Sequence, residues 1–150
     1  MIYRVLEEKD IASIKELIKD CSPFLGCNGT YTYWMMATVY KGYSFVAEEE
    51  GRLCGFVTAL PVPDHNSLFI WQLGVSPSYR KQGIAYRLID MVFQQAKIKG
   101  YGGIITGIDA KNTGSLSTFR KLSENYKLKS EIIGKFDADG VAEDVYKFCS

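Results

Sequence analysis

Residues 72–85, QLGVSPSYRKQGIA, form the most informative stretch of this 150-residue chain. An apolar, strand-like run stops at Pro77, a loop with two basic residues and a glycine follows, and an amphipathic helix begins directly after the loop. Amides at a helix N-terminus carry partial positive charge, and Gly83 leaves the backbone open to close approach. Arg80 and Lys81 add positive charge beside it. The stretch therefore predicts a phosphate site, and a solvated turn before a helix is the alternative when the loop is considered alone.

The loop matches neither of two common nucleotide-binding motifs. A phosphate-binding loop of the Walker type needs its glycines and a Lys-Ser or Lys-Thr pair, and a dinucleotide fingerprint needs three spaced glycines. Residues 72–85 contain only Gly74 and Gly83 and have no such pair. The loop is therefore neither of these two motifs.

The pattern outside this stretch predicts one α+β domain over residues 1–150, with a single mixed sheet flanked by about four helices. The predicted order of elements is β-α-α-β-β-β-α-β-α-β-β. Asp10 is expected to cap the first helix, and the second helix is expected over about residues 30–40. Glu50-Gly51 and Asp139-Gly140 are predicted to be the turns of two hairpins.

Composition excludes several classes of protein. Eighteen basic and 17 acidic residues give a net charge of +1, which gives no electrostatic case for binding nucleic acid or a membrane surface. Four cysteines without a CxxC pair, together with a single histidine, argue against a zinc site. No apolar signal segment precedes the first predicted strand, so we expect a reduced, cytoplasmic protein that needs no metal.

Residues 72–85 resemble the acetyl-CoA-binding motif of the GNAT family of N-acetyltransferases. Arg80, Gly83 and Ala85 match the family pattern Arg/Gln-x-x-Gly-x-Gly/Ala, and the predicted order of elements fits the family over nearly the whole chain. The resemblance implies the GNAT fold, with acetyl-CoA as cosubstrate. It also implies that the Leu73 amide polarises the thioester carbonyl and that the amides of residues 81–85 hold the pyrophosphate. The cofactor-binding residues implied are Leu73, Val75, Arg80, Lys81, Gln82, Gly83, Ile84, Ala85, Asn112, Ser115 and Phe119.

A second family element follows the next predicted strand. In the family an Asn at the position of Asn112 contacts the cofactor arm, and a Tyr seven residues later often protonates the leaving thiolate. Here residue 119 is Phe, so we expect Phe119 to pack and not to act as an acid. For Asn112 considered alone, a helix cap is the alternative.

A closer resemblance is to the diaminobutyrate acetyltransferases of ectoine synthesis, which carry Leu-Asp-x-Asn-Ser-x-Tyr-x-Tyr near the N-terminus and His-x-x-Glu near the C-terminus. The positions that match these motifs are Leu25, Asn28, Tyr31, Tyr33 and Glu143. Gly26 replaces the Asp, Gly29 the Ser and Gly140 the His. Two groups that would face a charged diamino acid are thus absent. We expect that diaminobutyrate is not an efficient substrate and that a less charged or more aromatic-compatible amine is preferred.

An alkyl amine has a reference pKa near 10.4, so it must lose a proton before it attacks a thioester. Glu143 is the first candidate for the base, with a surface strand residue as the alternative, and Asp109 and Asp144 are fallbacks. Asp64 and His65, in the predicted loop of residues 61–66, could reach the mouth of the acceptor site, and a solvated loop residue is the alternative for His65. The acceptor-binding residues predicted are Asn28, Tyr31, Tyr33, Trp71 and Glu143. Core packing is the alternative for the three aromatic residues, and Trp71 is expected to be buried either way.

The function predicted is acetyl transfer from acetyl-CoA to the primary amine of a small molecule such as an amino acid or a polyamine, catalysed by Glu143 and the Leu73 amide. The alternatives are acetylation of a protein or peptide amine, and a module that binds CoA without catalysis. The partner expected is the small-molecule amine, without nucleic acid or membrane, and a homodimer is the assembly considered.

Overall fold

Seven strands form one mixed sheet in the computed structural model, which describes residues 1–21 and 25–150. The strands are β1 (Ile2–Val5), β2 (Phe45–Glu49), β3 (Arg52–Val62), β4 (Ser67–Val75), β5 (Gly103–Ile108), β6 (Lys129–Ala138) and β7 (Val141–Cys149). The helices are α1 (Ile11–Lys19), α2 (Thr30–Ala37), α3 (Ile84–Ile98) and α4 (Thr113–Tyr126). The predicted order of elements is therefore confirmed, although the second helix ends at Ala37 and not near residue 40.

The sheet order is β1-β2-β3-β4-β5-β7-β6, and β4–β5 is the parallel pair among antiparallel neighbours. Both predicted hairpin turns are present as two-residue turns with positive φ at each residue: 51° and 77° at Glu50-Gly51, and 53° and 78° at Asp139-Gly140. Such turns suit the right-handed twist of the strands they join. The prediction of an α+β fold with one mixed sheet is confirmed.

Two hydrophobic clusters cover the two faces of the sheet. Along β2, Phe45 and Ala47 belong to one cluster and Val46 to the other, because successive side chains of a strand point to opposite faces. One cluster includes the buried stripe of α3, and the other includes the buried residues of α1 and α2. None of the helices among the described residues is long and apolar enough to cross a membrane.

The start of α1 differs from the prediction, because Asp10 does not cap this helix with its side chain. Its buried carboxylate instead accepts hydrogen bonds from both terminal nitrogens of Arg4, at 2.8 Å each, and from the Glu7 amide at 2.8 Å. Burial alone would raise the pKa of Asp10, but these hydrogen bonds lower it below its usual value. The carboxylate therefore joins β1 to α1.

The parallel pair β4–β5 is short. Its ladder runs from Ser67↔Gly103 to Ile70↔Thr106, and the rest of β4 pairs with β3 alone. A register shift on the β3 side leaves Trp71 as an extra residue, since Ile70 pairs with Ala59 and Gln72 with Thr58. The expectation that Trp71 is buried is wrong: the bulge leaves its side chain 42% exposed.

We expect Asp10→Ala to lower the free energy of unfolding by about 3 kcal/mol at neutral pH, because it removes a buried partner from Arg4. Urea denaturation measures this loss. Glu16→Ala is the control: it breaks the exposed 3.0 Å pair with Lys19 and should cost less than about 0.5 kcal/mol. Equal losses in the two variants would contradict the structural role of Asp10.

Because the folded pKa of Asp10 lies below its unfolded value, its contribution to the free energy of unfolding should disappear as the pH falls through that folded pKa.

Candidate functional site

Two adjoining cavities lie where β4 and β5 part. The larger, the basic groove, has a volume of about 680 Å³ and lies between the end of β4 and the first turns of α3 and α4. The smaller, the acidic cavity, has a volume of about 140 Å³ and lies among β4, β5 and the start of β7. Four residues line both, so the two cavities meet: Leu25, Leu73, Asn112 and Ser115.

The loop before α3 bends through two residues with positive φ, Lys81 at 62° and Gly83 at 80°. Gly83 is the N-cap of α3, and its carbonyl accepts the first helical hydrogen bond, from the Arg87 amide at 3.0 Å. The amides of the first turn have no carbonyl within the helix to bind. A helix N-terminus with open amides beside a basic loop favours an anionic ligand.

The charged side chains that line the basic groove are all cationic: Arg80, Lys81, Lys111 and Lys121. No carboxylate lines it within the described chain, and the three remaining residues, 22–24, are Ser, Pro and Phe. The groove is therefore suited to a ligand with several negative charges.

The edge of β4 that faces β5 presents two backbone amides to the junction of the cavities. The Gln72 amide donates to Thr58 Oγ1 at 3.0 Å and the Ser76 amide to the Cys54 carbonyl at 2.8 Å, so both point toward β3. Because amide directions alternate along a strand, those of Leu73 and Val75 point the other way, toward the cavities. The resemblance assigned the thioester to this edge.

Two carboxylates line the acidic cavity, those of Asp109 and Glu143. Burial, and then the charge of Asp109, raise the pKa of Glu143 above its usual value. Gly107 makes room for this side chain: a Cβ at residue 107 would lie 2.7 Å from Glu143 Oε1. A raised carboxyl pKa in a cavity is typical of a group that exchanges protons.

The structure brings together most of the residues predicted from the acetyl-CoA-binding motif. Those that line the basic groove are Leu73, Val75, Arg80, Lys81, Gly83, Ile84, Ala85, Asn112 and Ser115. Gln82 does not line it. Asn112 also fulfils the alternative prediction, because its side chain accepts a hydrogen bond from the Ser115 amide at 3.1 Å and caps α4.

Phe119 lies at the back of the acidic cavity and is 2% exposed. Its ring stacks on Phe148 with centroids 5.5 Å apart and planes 13° apart. This packing is as expected for a residue that has no proton to give.

The acceptor-binding residues predicted from the N-terminal motif do not line either cavity. Tyr33 is fully buried, and its hydroxyl donates to Gln72 Oε1 at 2.8 Å and accepts from the Asn28 amide at 3.1 Å. Tyr31 is 70% exposed and packs on Trp34. The other two predicted acceptor-binding residues, Trp71 and Glu143, line the acidic cavity.

Tyr33 acts on the site indirectly. Gln72, which accepts the Tyr33 proton, donates through Nε2 to the Gly26 carbonyl at 2.6 Å. This chain of hydrogen bonds holds the loop that carries Leu25, one of the four residues that line both cavities. The sequence offered one signal for it, a glutamine inside an apolar strand.

Of the fallback acids, only Asp109 lines a cavity. Asp144 does not, and Asp64 and His65 lie in a short helical turn before β4, at the opposite end of the strand from Leu73. Asp64 and His65 are exposed there, which agrees with the solvated alternative for His65 and not with a position at the acceptor mouth. Residues that the sequence reasoning missed include Gly114, Ser117, Thr118 and Lys121, whose spacing of three and four residues along α4 marks one helix face.

Comparison with known proteins agrees with this geometry. The model of the acetyltransferase (GNAT) family matches residues 11–123. The L-2,4-diaminobutyric acid acetyltransferase of Vibrio parahaemolyticus is 32% identical over 122 residues, which cover 81% of this chain and 67% of that protein. The diaminobutyrate acetyltransferase of Paenibacillus lautus, solved with L-2,4-diaminobutyric acid and coenzyme A, superposes with a TM-score of 0.89 at 28% identity, covering 99% of this chain and 93% of that one. The ribosomal-protein-S18-alanine N-acetyltransferase of Escherichia coli shares the fold, with a TM-score of 0.75 at 14% identity over 98% of this chain and 90% of that one.

Proposed function

The chain belongs to the GNAT acetyltransferase family, and we propose that it transfers acetyl groups from acetyl-CoA to a small-molecule primary amine at the junction of the basic groove and the acidic cavity. The observation that carries this proposal is the separation of charge: cations line the groove and carboxylates line the cavity. CoA carries its phosphates at one end and its thioester at the other. An amine acceptor arrives as a cation.

In this proposal the phosphates bind the loop of residues 80–85, and the thioester reaches the edge of β4 that faces β5. The Leu73 amide donates to the thioester carbonyl oxygen, which gains negative charge as the amine attacks. The new C–N bond forms as the C–S bond breaks, and CoA leaves as its thiolate, which then takes up a proton. The direction of the Leu73 amide supports this assignment.

We propose Glu143 as the base that removes the proton from the amine. Its position in the acidic cavity supports this role, and its raised pKa makes the carboxylate a stronger base than an exposed glutamate. Because the ionised form is the active one, kcat/KM should rise with pH through the raised pKa of Glu143. A small cavity at this point also favours a small amine over a peptide.

Gly83→Val should weaken CoA binding at least about tenfold, or about 1.4 kcal/mol, because valine resists the positive φ that opens the loop. Calorimetry with CoA measures the change. Gly100→Val is a matched control, since Gly100 has φ of 83° and equally open surroundings at the other end of α3. The control should lose similar stability and keep its CoA affinity. Unchanged affinity in Gly83→Val would contradict the assignment of the groove.

Gly107→Ala should lower kcat/KM at least about 30-fold, since it displaces the Glu143 carboxylate and general-base catalysis contributes about 10²–10⁴-fold. Release of the CoA thiol gives the rate. In a Glu143→Ala background the same change should cost less than about threefold, because the group that Gly107 accommodates is already gone.

The control for Gly107→Ala is Gly134→Ala on β6, where an added Cβ meets nothing within 4 Å. It should leave kcat/KM within about twofold of the parent. A loss in Gly107→Ala that is equally large with and without Glu143 would show that Gly107 acts through the fold alone.

We further propose a homodimer that pairs through β6. All ten residues of this edge strand are exposed, and Ile132, Ile133 and Phe136 are 57%, 40% and 49% exposed. Light scattering on a sizing column should give twice the 16.9 kDa chain mass, and Ile132→Lys should halve it. A monomer in the parent protein would rule this assembly out.

The four free cysteines support our further proposal of a cytoplasmic location.

A further inference from the structure

We infer that the acceptor is an aliphatic diamine without a carboxylate group, of which 1,3-diaminopropane is the simplest test. This inference rests on the proposed function and names the substrate class of the same site. It differs from the substrate of the relatives, L-2,4-diaminobutyric acid, by the loss of a single carboxylate.

The charges around the acidic cavity carry the inference. Asp109 and Glu143 line it, and no Lys, Arg or His does so within residues 1–21 and 25–150. Residues 22–24 are Ser, Pro and Phe and add no cation. A substrate carboxylate would therefore enter beside two carboxylates without a cationic side chain to balance it.

Two carboxylates suit two amino groups. Glu143 takes the proton of the reacting amine, which leaves Asp109 as the partner for a second ammonium. One oxygen of Asp109 already accepts from the Lys111 amide at 2.8 Å, which fixes the carboxylate at the end of β5. The half-exposed ring of Trp71 offers a further surface for an ammonium.

The test compares three acceptors by thiol release from acetyl-CoA: 1,3-diaminopropane, L-2,4-diaminobutyrate and propylamine. The diamine should exceed each of the others in kcat/KM by at least about tenfold. Diaminobutyrate equal to or better than the diamine would overturn the inference and leave the proposed function standing. Propylamine equal to the diamine would overturn the role of the second ammonium. Failure of all three amines to release thiol, with CoA binding intact, would overturn the proposed function as well.

Asp109→Asn keeps the acceptor for the Lys111 amide and removes the charge. It should remove the preference for the diamine, so that kcat/KM for 1,3-diaminopropane and for propylamine differ by no more than about threefold. Both values are measured at a pH where Glu143 is ionised in the parent and in the variant. Asp144→Asn is the matched control, because Asp144 adjoins Glu143 in sequence but does not line the cavity. It should keep the parent ratio. An unchanged ratio in Asp109→Asn would show that this carboxylate does not select the diamine.

Discussion

The early end of the ladder between β4 and β5 is the constraint on which the site depends. Four residue pairs hold the two strands together, and beyond Ile70 each strand pairs only with its outer neighbour. Backbone amides at the open edge of β4 then face a gap that no strand fills. Thr106 Oγ1, at 3.1 Å, donates to the Ile70 carbonyl at the point where the ladder ends, so this buried acceptor is satisfied. The gap is thus built into the sheet by the strand pairing itself.

The elements on the two sides of this gap carry opposite charges. On one side the helices α3 and α4 begin. Their first turns bring amide dipoles, and the loops before them bring Arg80, Lys81 and Lys111. On the other side β7 runs past the end of β5, which places Glu143 beyond the last pair, Ile108↔Asp144, and next to Asp109. Opposite charges therefore lie on either side of Leu73. The field between them draws a polyanion to one side and an ammonium to the other.

The sequence predicted the part of the site that depends only on residues close together in the chain. The loop of residues 80–85 depends on a glycine with positive φ and on the helix that follows, and both are visible in the sequence. Tyr33 and Trp71 could not be placed in the same way. The bulge that exposes Trp71 depends on the register of β3 against β4, and the burial of Tyr33 depends on the packing of α2 against the sheet. Both arrangements depend on contacts between residues far apart in the sequence, and a motif match does not predict such contacts.

Gly26 and Gly140, at which the sequence departs from the motifs that the resemblance to the diaminobutyrate acetyltransferases implies, differ in what the fold would tolerate. A Cβ on Gly26 would meet nothing within 4 Å, so an aspartate fits there without moving its neighbours. Gly140 also has open space, but its φ of 78° costs a residue with a Cβ about 1–2 kcal/mol in the left-handed region. The tight turn at Asp139-Gly140 joins β6 to β7 and so fixes where Glu143 lies. A histidine at residue 140 would therefore strain this turn, and relief of the strain would shift the base. The absence of the histidine is coupled to the geometry of this hairpin, whereas the absence of the aspartate is a change at one open position.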